Sequence, residues 1–365
     1  MEQLRTLESP FGAEIVIDGA RYVNFAGSSY LGLSGVAEIL EHGARALRQG
    51  GAGYQLSRHF GLVSQALQDI ESEGASYFGT EAALYLNTGY LLGFALIEAA
   101  AVRCSAIYFD ELAHYCLRDA IGASGLRSYA FRHLDVGHLE ELLKRHSTGG
   151  EGALIVTDGM YSTFGEIAPL DQMARVAASW GARLLVDESH SFGVLGAHGQ
   201  GASEHHAILS QAPLIGGSLS KAFGVVGALI PATATEVQAL RVTRVCRGAA
   251  VGLPAAAAMG AAALRYVRAH PELRQRLRTN TAYLKQGLRR LGIEVGDSPA
   301  PVAAFSLHSH AAMSSLQQRL FADGIYVLLS DYIGAGREGV IRCGIFADHT
   351  PAHLDQLLDA LRRHV

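Results

Sequence analysis

The sequence predicts an α/β fold: a mostly parallel sheet covered by helices on both faces, followed by a smaller α/β unit. Three observations predict it. Short aliphatic or β-branched runs alternate with segments of helical period. Polar residues stand directly after several of those runs, where sheets of this kind bind ligands. The pattern then changes after Pro254. A chain of 365 residues accommodates one large domain and a smaller one.

In order along the chain, the first 35 or so residues read as an arm with short strands. Candidate strands follow at 83–86, 106–109, 128–131, 153–157, 183–187 and 214–216, with helical patterns between most of them, such as 170–180. Beyond Pro254 a long helical stretch, about 255–291, leads to apolar runs at 303–307, 325–329 and 340–346 and a final helix from Pro351. The expected division is an arm over 1–40, a large domain over 41–255 and a small domain over 256–365. No internal repeat or low-complexity linker interrupts it.

Composition narrows the function. Hydrophobic residues make up 49% and charged residues 18%, an ordinary globular balance. The net charge of -4, with no basic run, makes nucleic acid a poor partner. A small anionic substrate stays open, because one or two arginines suffice to bind it. Cys104, Cys116, Cys246 and Cys343 form no C-x-x-C pair, and the first residues, MEQLRTLESPFG, lack an apolar signal core. Reduced thiols and a cytoplasmic location are expected. The apolar stretch 249–263 is rich in Ala and Gly and contains Pro254, so it reads as a buried helix and no membrane span is expected.

The chemistry concentrates at strand ends. Residues 83–91 (ALYLNTGYL) run from a strand through Gly89 into a helix, which offers the N–H groups of Gly89 and Tyr90 to a phosphate. Such turns also occur as plain connections. Residues 183–190 (RLLVDESH) put Asp187 at a strand terminus and His190 three residues on. An acid there can pair with a protonated ring nitrogen, or it can cap a helix. Residues 214–224 (LIGGSLSKAFG) set Lys221 among small residues, with Ser218 placed for a phosphate oxygen. Partial burial would lower the amine's pKa and make it a nucleophile for a carbonyl; the plainer reading is a surface lysine in a loop. His114 lies past another strand end, and Asp158 and Ser162 past a fourth. Arg342 sits inside an apolar run, where a guanidinium needs an anionic partner from the protein or a ligand.

Together these segments resemble the α-oxoamine synthase family of fold-type I enzymes dependent on pyridoxal 5'-phosphate (PLP). The resemblance runs from about Tyr22 to the C-terminus. Its most specific stretches are 186–201 (VDESHSFGVLGAHGQG) and 217–224 (GSLSKAFG), supported by NF at 24–25, YLGL at 30–33, NTGY at 87–90, IR at 341–342 and HT at 349–350. The resemblance implies that Lys221 holds PLP as a Schiff base and that Asp187 partners the pyridinium nitrogen. It implies that His190 bonds the phenolic oxygen and His114 stacks on the ring. Gly89, Tyr90 and Ser218 would hold the phosphate, with Asp158 and Ser162 near the ring and Arg342 on the amino-acid carboxylate. The implied reaction is decarboxylative condensation of an amino acid with an acyl thioester, on CoA or a carrier protein, to an α-amino ketone. A homodimer with sites at the interface is implied too.

Several positions depart from the family pattern. Ser28 and Ser29 replace an Asn-Asp pair, and Ser28 takes the position nearest the substrate. The loop Gly53 to Gly61 has altered spacing. Ala250-Val251 replaces the Ser-Thr whose threonine reaches the neighbouring subunit's phosphate, and Asp158 replaces a common Glu. Other readings stand beside this one. An aminotransferase or a PLP-dependent C–C lyase would use the same Lys221 and Asp187. A serine acyl-enzyme would use the S-x-x-K of Ser218 and Lys221, but no K-T-G accompanies it. A zinc site from His190, His198, His205 and His206 matches no ordinary ligand spacing, so no metal is expected. A catalytically dead binding protein would not need Lys221, Asp187 and His190 together. Arg241, Arg244 and Arg247 on one helix could form a rim for an acidic carrier protein; a solvated helix face is the plainer reading.

Overall fold

The computed structural model describes residues 4–53, 56–146, 152–307 and 309–365. Thirteen strands are described: β1 (Glu14–Ile17), β2 (Ala20–Asn24), β3 (Ala82–Leu86), β4 (Ala106–Asp110), β5 (Arg127–Phe131), β6 (Ala153–Asp158), β7 (Arg183–Asp187), β8 (Leu214–Ser218), β9 (Ala228–Ala232), β10 (Val302–Phe305), β11 (Ile325–Tyr326), β12 (Leu328–Ser330) and β13 (Val340–Gly344). Seven of them form the central sheet, in the order β3-β9-β8-β7-β6-β4-β5. Strands β8, β7, β6, β4 and β5 run parallel, whereas β9 is antiparallel to both β8 and β3.

The expected strands at 83–86 through 214–216 are all present, each within two residues of its expected ends. They are legible because helices cover both faces of the sheet and the strands are aliphatic throughout. Alternate side chains enter opposite cores: Ile155, Leu184 and Val186 pack on one side, and Leu154, Val156 and Leu185 on the other. Strand β9 was not expected, because Gly227 precedes it and Pro231 interrupts it. Its ladder to β8 stops at Leu229, so Pro231 lies beyond the residues β8 pairs with.

The stretch expected as helical over 255–291 is two helices, Pro254–Ala269 and Glu272–Arg290. Pro271 separates them, since proline lacks the N–H that would continue the first helix. Pro254 stands at the first turn of its helix, where that missing N–H costs nothing. The run at 325–329 also divides: β11 pairs with β2 of the arm, and β12 pairs with β13.

Val23 and Phe25 of the arm belong to the same core as Leu284, Leu316, Ile341 and Leu357. The NF and HT motifs meet here. The carbonyl of Asn24 lies 2.9 Å from His349 Nε2, Phe25 stacks on the His349 ring, and Thr350 caps helix Pro351–His364. The arm is thereby clamped where Gly27, Ser28 and Tyr30 reach the carboxyl ends of the central strands.

Candidate active site

Lys221 occupies the connection between β8 and β9. That loop is pinned by Leu219 N–H donating to the Gly227 carbonyl at 2.8 Å and by the buried side chains of Leu219, Ala222 and Phe223. Gly224 has φ of 66°, and a Cβ there would lie 2.7 Å from the Ser34 nitrogen, so only glycine lets the loop sit so close to the arm. Lys221 faces a cavity of about 190 Å³ that it shares with Gly89, His114, Asp187 and Ser218. Burial pushes its amine below the ordinary lysine range; Asp187 opposes that shift and Arg342 adds to it.

Asp158 and Asp187 end adjacent parallel strands and are register partners. Burial, then the charge of Asp187, pushes the Asp158 carboxyl well above its usual range, which favours its protonated form. It accepts the His114 backbone N–H at 3.0 Å. Asp187 Oδ1 accepts the Ser189 N–H at 2.8 Å, and Cys116 Sγ lies 3.7 Å from Oδ2.

Burial favours the neutral form of both histidines of the cavity. Burial lowers the pKa of His114. Its Nδ1 accepts the Cys116 N–H at 3.2 Å, which leaves the proton on Nε2, 2.8 Å from Tyr332 Oη. Burial, then Lys221 and Arg342, pushes His190 well below the ordinary histidine value. Tyr30 Oη lies 2.8 Å from its Nδ1.

At the other end of the cavity, β3 passes through Thr88 into a single 3-10 turn, Gly89–Leu91, and then helix Leu92–Ala101. A Cβ on Gly89 would lie 2.8 Å from Ser218 Cβ and 2.9 Å from its Oγ. Ser218 Oγ is 2.7 Å from Ser220 Oγ, and Ser218 N–H donates to Ser189 Oγ at 2.9 Å. The Tyr90 hydroxyl donates to Asp119.

Arg342 opens a second cavity, of about 340 Å³, that also touches Ser28, Ser162, His114, His190 and Lys221. It lies in β13, between β10 and β12, and is only 5% exposed. Its Nε donates to the Ser162 carbonyl at 2.7 Å, Nη1 to the Gly27 carbonyl at 2.8 Å, and Nη2 to Tyr30 Oη at 3.5 Å. All three acceptors are neutral, and no carboxylate pairs with the guanidinium among the described residues. A buried cation in that state is set to receive an anion.

Lys221, Asp187, His190, His114, Gly89, Tyr90, Asp158, Ser162, Ser218, Arg342 and Ser28 each line one of these two cavities; Ser162 also contributes its backbone carbonyl. Sequence reasoning missed Tyr30, Cys116, Ser189, Ser220, Asp331 and Tyr332 as site residues. Ser189 and Ser220 sit inside the motifs already quoted, whereas Ser330-Asp331-Tyr332 only faintly echoes the second motif of serine acyl-enzymes. The arginine rim is corrected. Helix Ala234–Arg241 ends before Thr243 caps helix Arg244–Gly248, and Arg241 and Arg244 pair with Glu71 and Glu98. Ser218 bonds Ser220 and the Gly227 carbonyl, with no hydrogen bond to Lys221 among the described residues. His190, His198 and His206 take separate partners, Tyr30, Glu204 and Asp171. Tyr54 and Gln55 of the 53–61 loop lie outside the described residues.

PLP requires an anion pocket, a partner for its ring nitrogen, a surface beside the ring and an amine for its aldehyde. The first cavity offers the turn at Gly89 and Tyr90, the hydroxyls of Ser189, Ser218 and Ser220, the buried carboxylate of Asp187, the His114 imidazole and the Lys221 amine. This donor set fits PLP, and on this mostly parallel sheet it defines a fold-type I PLP-dependent enzyme.

Residues 20–361 match the aminotransferase class I and II family, and the chain belongs to it. It is 34% identical over 361 residues to an 8-amino-7-oxononanoate synthase of Methylococcus capsulatus, covering 98% of this chain and 92% of that protein. A second 8-amino-7-oxononanoate synthase, of Thermosipho melanesiensis, is 30% identical, covering 99% and 92%. Among solved structures, a variant of the serine palmitoyltransferase of S. paucimobilis with PLP bound superposes with a TM-score of 0.94 at 26% identity, covering 99% of this chain and 92% of that one. Within the family the chain is a PLP-dependent acyltransferase of the α-oxoamine synthase type.

Proposed function

We propose that Lys221, Asp187, His114, His190 and Arg342 are the working residues of a decarboxylative condensation between an amino acid and an acyl thioester. Arg342 carries this reading: a buried guanidinium with only neutral described partners shares a cavity with Lys221. It takes the amino-acid carboxylate and fixes Cα near the lysine. Lys221 would anchor the cofactor, and its free Nζ would accept the α-proton, a task its lowered pKa favours. PLP, when bound, supplies an electron sink for the pair left on Cα. Asp187 holds the ring nitrogen's proton. His190 would bond the phenolic oxygen, and His114 would lie against the ring, with Asp158 accepting its backbone N–H. Gly89, Tyr90 and Ser218 hold the phosphate, and Ser28 lies beside the amino acid.

In the net reaction a bond forms between Cα and the thioester carbonyl carbon. The bond from Cα to its carboxylate breaks, releasing CO₂, and the thiolate leaves with one proton as a thiol. An aminotransferase or C–C lyase built on the same residues needs no thioester. The test is spectral titration of PLP-loaded protein with single amino acids, then a thiol-release assay with acyl-CoA donors. Thiol release that requires both substrates supports the condensation; turnover without a thioester supports the rival.

We also infer a homodimer. Phe60, Leu62, Val226 and Leu253 are 69%, 63%, 61% and 50% exposed. They hang from segments that meet around the end of β3, where Arg58 bonds the Tyr85 carbonyl, Tyr85 bonds the Val226 carbonyl and Asn87 bonds the Ala250 carbonyl. A second copy would cover these side chains beside the cofactor cavity. The free, buried cysteines support a cytoplasmic location. Among the described residues no helix is long and apolar enough to cross a membrane. The division into an arm (1–40), a large domain (41–255) and a small domain (256–365) is likewise proposed.

A further inference from the structure

The acyl thioester must reach Cα through the cavity that Lys221 and Arg342 share. On the reading above, both of those cations are committed, one to the cofactor and one to the amino-acid carboxylate. Burial disfavours the charged form of the cavity's two histidines. No other lysine or arginine lines it among the described residues of this chain. Leu328, Leu329, Asp331 and Tyr332 line it too, Asp331 and Tyr332 exposed, and the Asp331 side chain makes no hydrogen bond or ion pair among the described residues. An acyl chain ending in a carboxylate would lose water there without gaining a counter-ion and would face a like charge. An uncharged alkyl chain would meet two leucines and an aromatic ring instead.

We propose that Asp331 is a specificity-determining residue that restricts the donor to acyl thioesters with an uncharged tail. This rests on the condensation reading. Asp331 is exposed, so its repulsion is screened and the discrimination is graded rather than absolute.

The experiment compares two CoA donors of equal chain length, octanoyl-CoA and its ω-carboxylate counterpart suberoyl-CoA. Thiol release is followed with PLP-loaded wild type, Asp331→Asn and Asp331→Lys, using the amino acid that shifts the visible spectrum. The wild type is expected to favour octanoyl-CoA by about tenfold or more in kcat/KM, narrowing to about threefold in Asp331→Asn and to parity or reversal in Asp331→Lys. The KM for the amino acid stays within about twofold throughout. A wild-type preference for the carboxylate-ended donor, or parity between the two, overturns the proposal and leaves the condensation reading intact. So does a donor ratio that neither substitution moves. No thiol release from either donor, despite a spectral response to the amino acid, overturns the condensation reading and this proposal with it.

Discussion

The hydroxyl of Tyr332 lies 2.8 Å from Nε2 of His114, which ties the loop after β12 to the imidazole beside the cofactor cavity. Tyr332 also meets the Tyr115 ring edge-on, at 5.3 Å between centroids. Because His114 Nδ1 accepts the Cys116 N–H, both ring nitrogens are engaged and the ring plane is fixed from two sides. Tyr332→Phe keeps the aromatic contact and removes the hydrogen bond. A neutral hydrogen bond contributes about 1 kcal/mol, so kcat/KM should fall by about fivefold. PLP affinity should change by less than about twofold, since the residues proposed to hold the phosphate, Gly89, Tyr90 and Ser218, make no hydrogen bond to Tyr332 among the described residues. Steady-state kinetics alongside a PLP titration measure both.

Lys221→Ala removes the one amine in the cofactor cavity. The loop's anchors, Leu219, Ala222 and Phe223, remain buried, so the fold should survive. Activity should drop by at least about a thousandfold, and the visible absorption of lysine-bound PLP should vanish. Circular dichroism checks the fold, and absorption spectroscopy checks the bond. A variant that keeps the wild-type band would remove Lys221 from its role.

Arg342→Ala separates amino-acid binding from cofactor binding. The guanidinium is remote from Gly89 and Ser218, which line the other cavity. Amino-acid affinity should weaken by about a hundredfold, in line with losing a buried charge-assisted pair, while PLP affinity holds. Amino-acid titration of the PLP-loaded variant reads the first, and fluorescence titration with PLP reads the second. Unchanged amino-acid affinity would place the carboxylate elsewhere.

The central sheet was legible because buried parallel strands are aliphatic along their whole length, and polar residues such as Asp158 and Asp187 mark where each leaves the core. Strand β9 was not, because Pro231 denies it the look of a ladder strand. The two helices on either side of Pro271 merged because helical period continues across the break. Site residues with a chemical signature in a motif were readable: Lys221 among glycines, Arg342 in an apolar run. Tyr332 and Asp331 were not. They reach the site only because β12 pairs with β13 beside Arg342, a relation between segments that no local pattern carries.

Gly89→Ala tests the cofactor cradle. The added Cβ would stand 2.8 Å from Ser218 Cβ and 2.9 Å from Ser218 Oγ. That is closer than van der Waals contact allows, so the Ser218 hydroxyl must turn away or the turn must widen. Either change disturbs the end of the cavity where helix N–H groups and hydroxyls converge. PLP affinity should fall by about tenfold or more, with the apoprotein destabilised by about 1–2 kcal/mol. Fluorescence titration with PLP and urea unfolding of the apoprotein measure the two effects separately.

His133 supplies a pH signature away from the reaction. Burial pushes its imidazole down, but the hydrogen bonds it donates to Asp110 at 2.9 Å and to Glu166 at 3.3 Å outweigh burial and hold its pKa up at about 9, against an ordinary 6.5. A group whose folded pKa is raised binds an extra proton in the native state between those two values. Its stabilisation is therefore complete below about pH 6.5 and is lost as pH rises through about 9. At about 1.4 kcal/mol per pKa unit, the shift corresponds to at most about 3 kcal/mol. His133→Gln should lower stability by up to that amount near about pH 6 and by little near about pH 10. Lys221, whose pKa burial depresses, is present in both proteins, so its contribution cancels and the difference between them isolates His133. Urea unfolding of wild type and variant at the two pH values gives the comparison. An equal loss at both would mean that His133 contributes through packing against Tyr161, whose ring meets it edge-on at 4.5 Å, rather than through its charge.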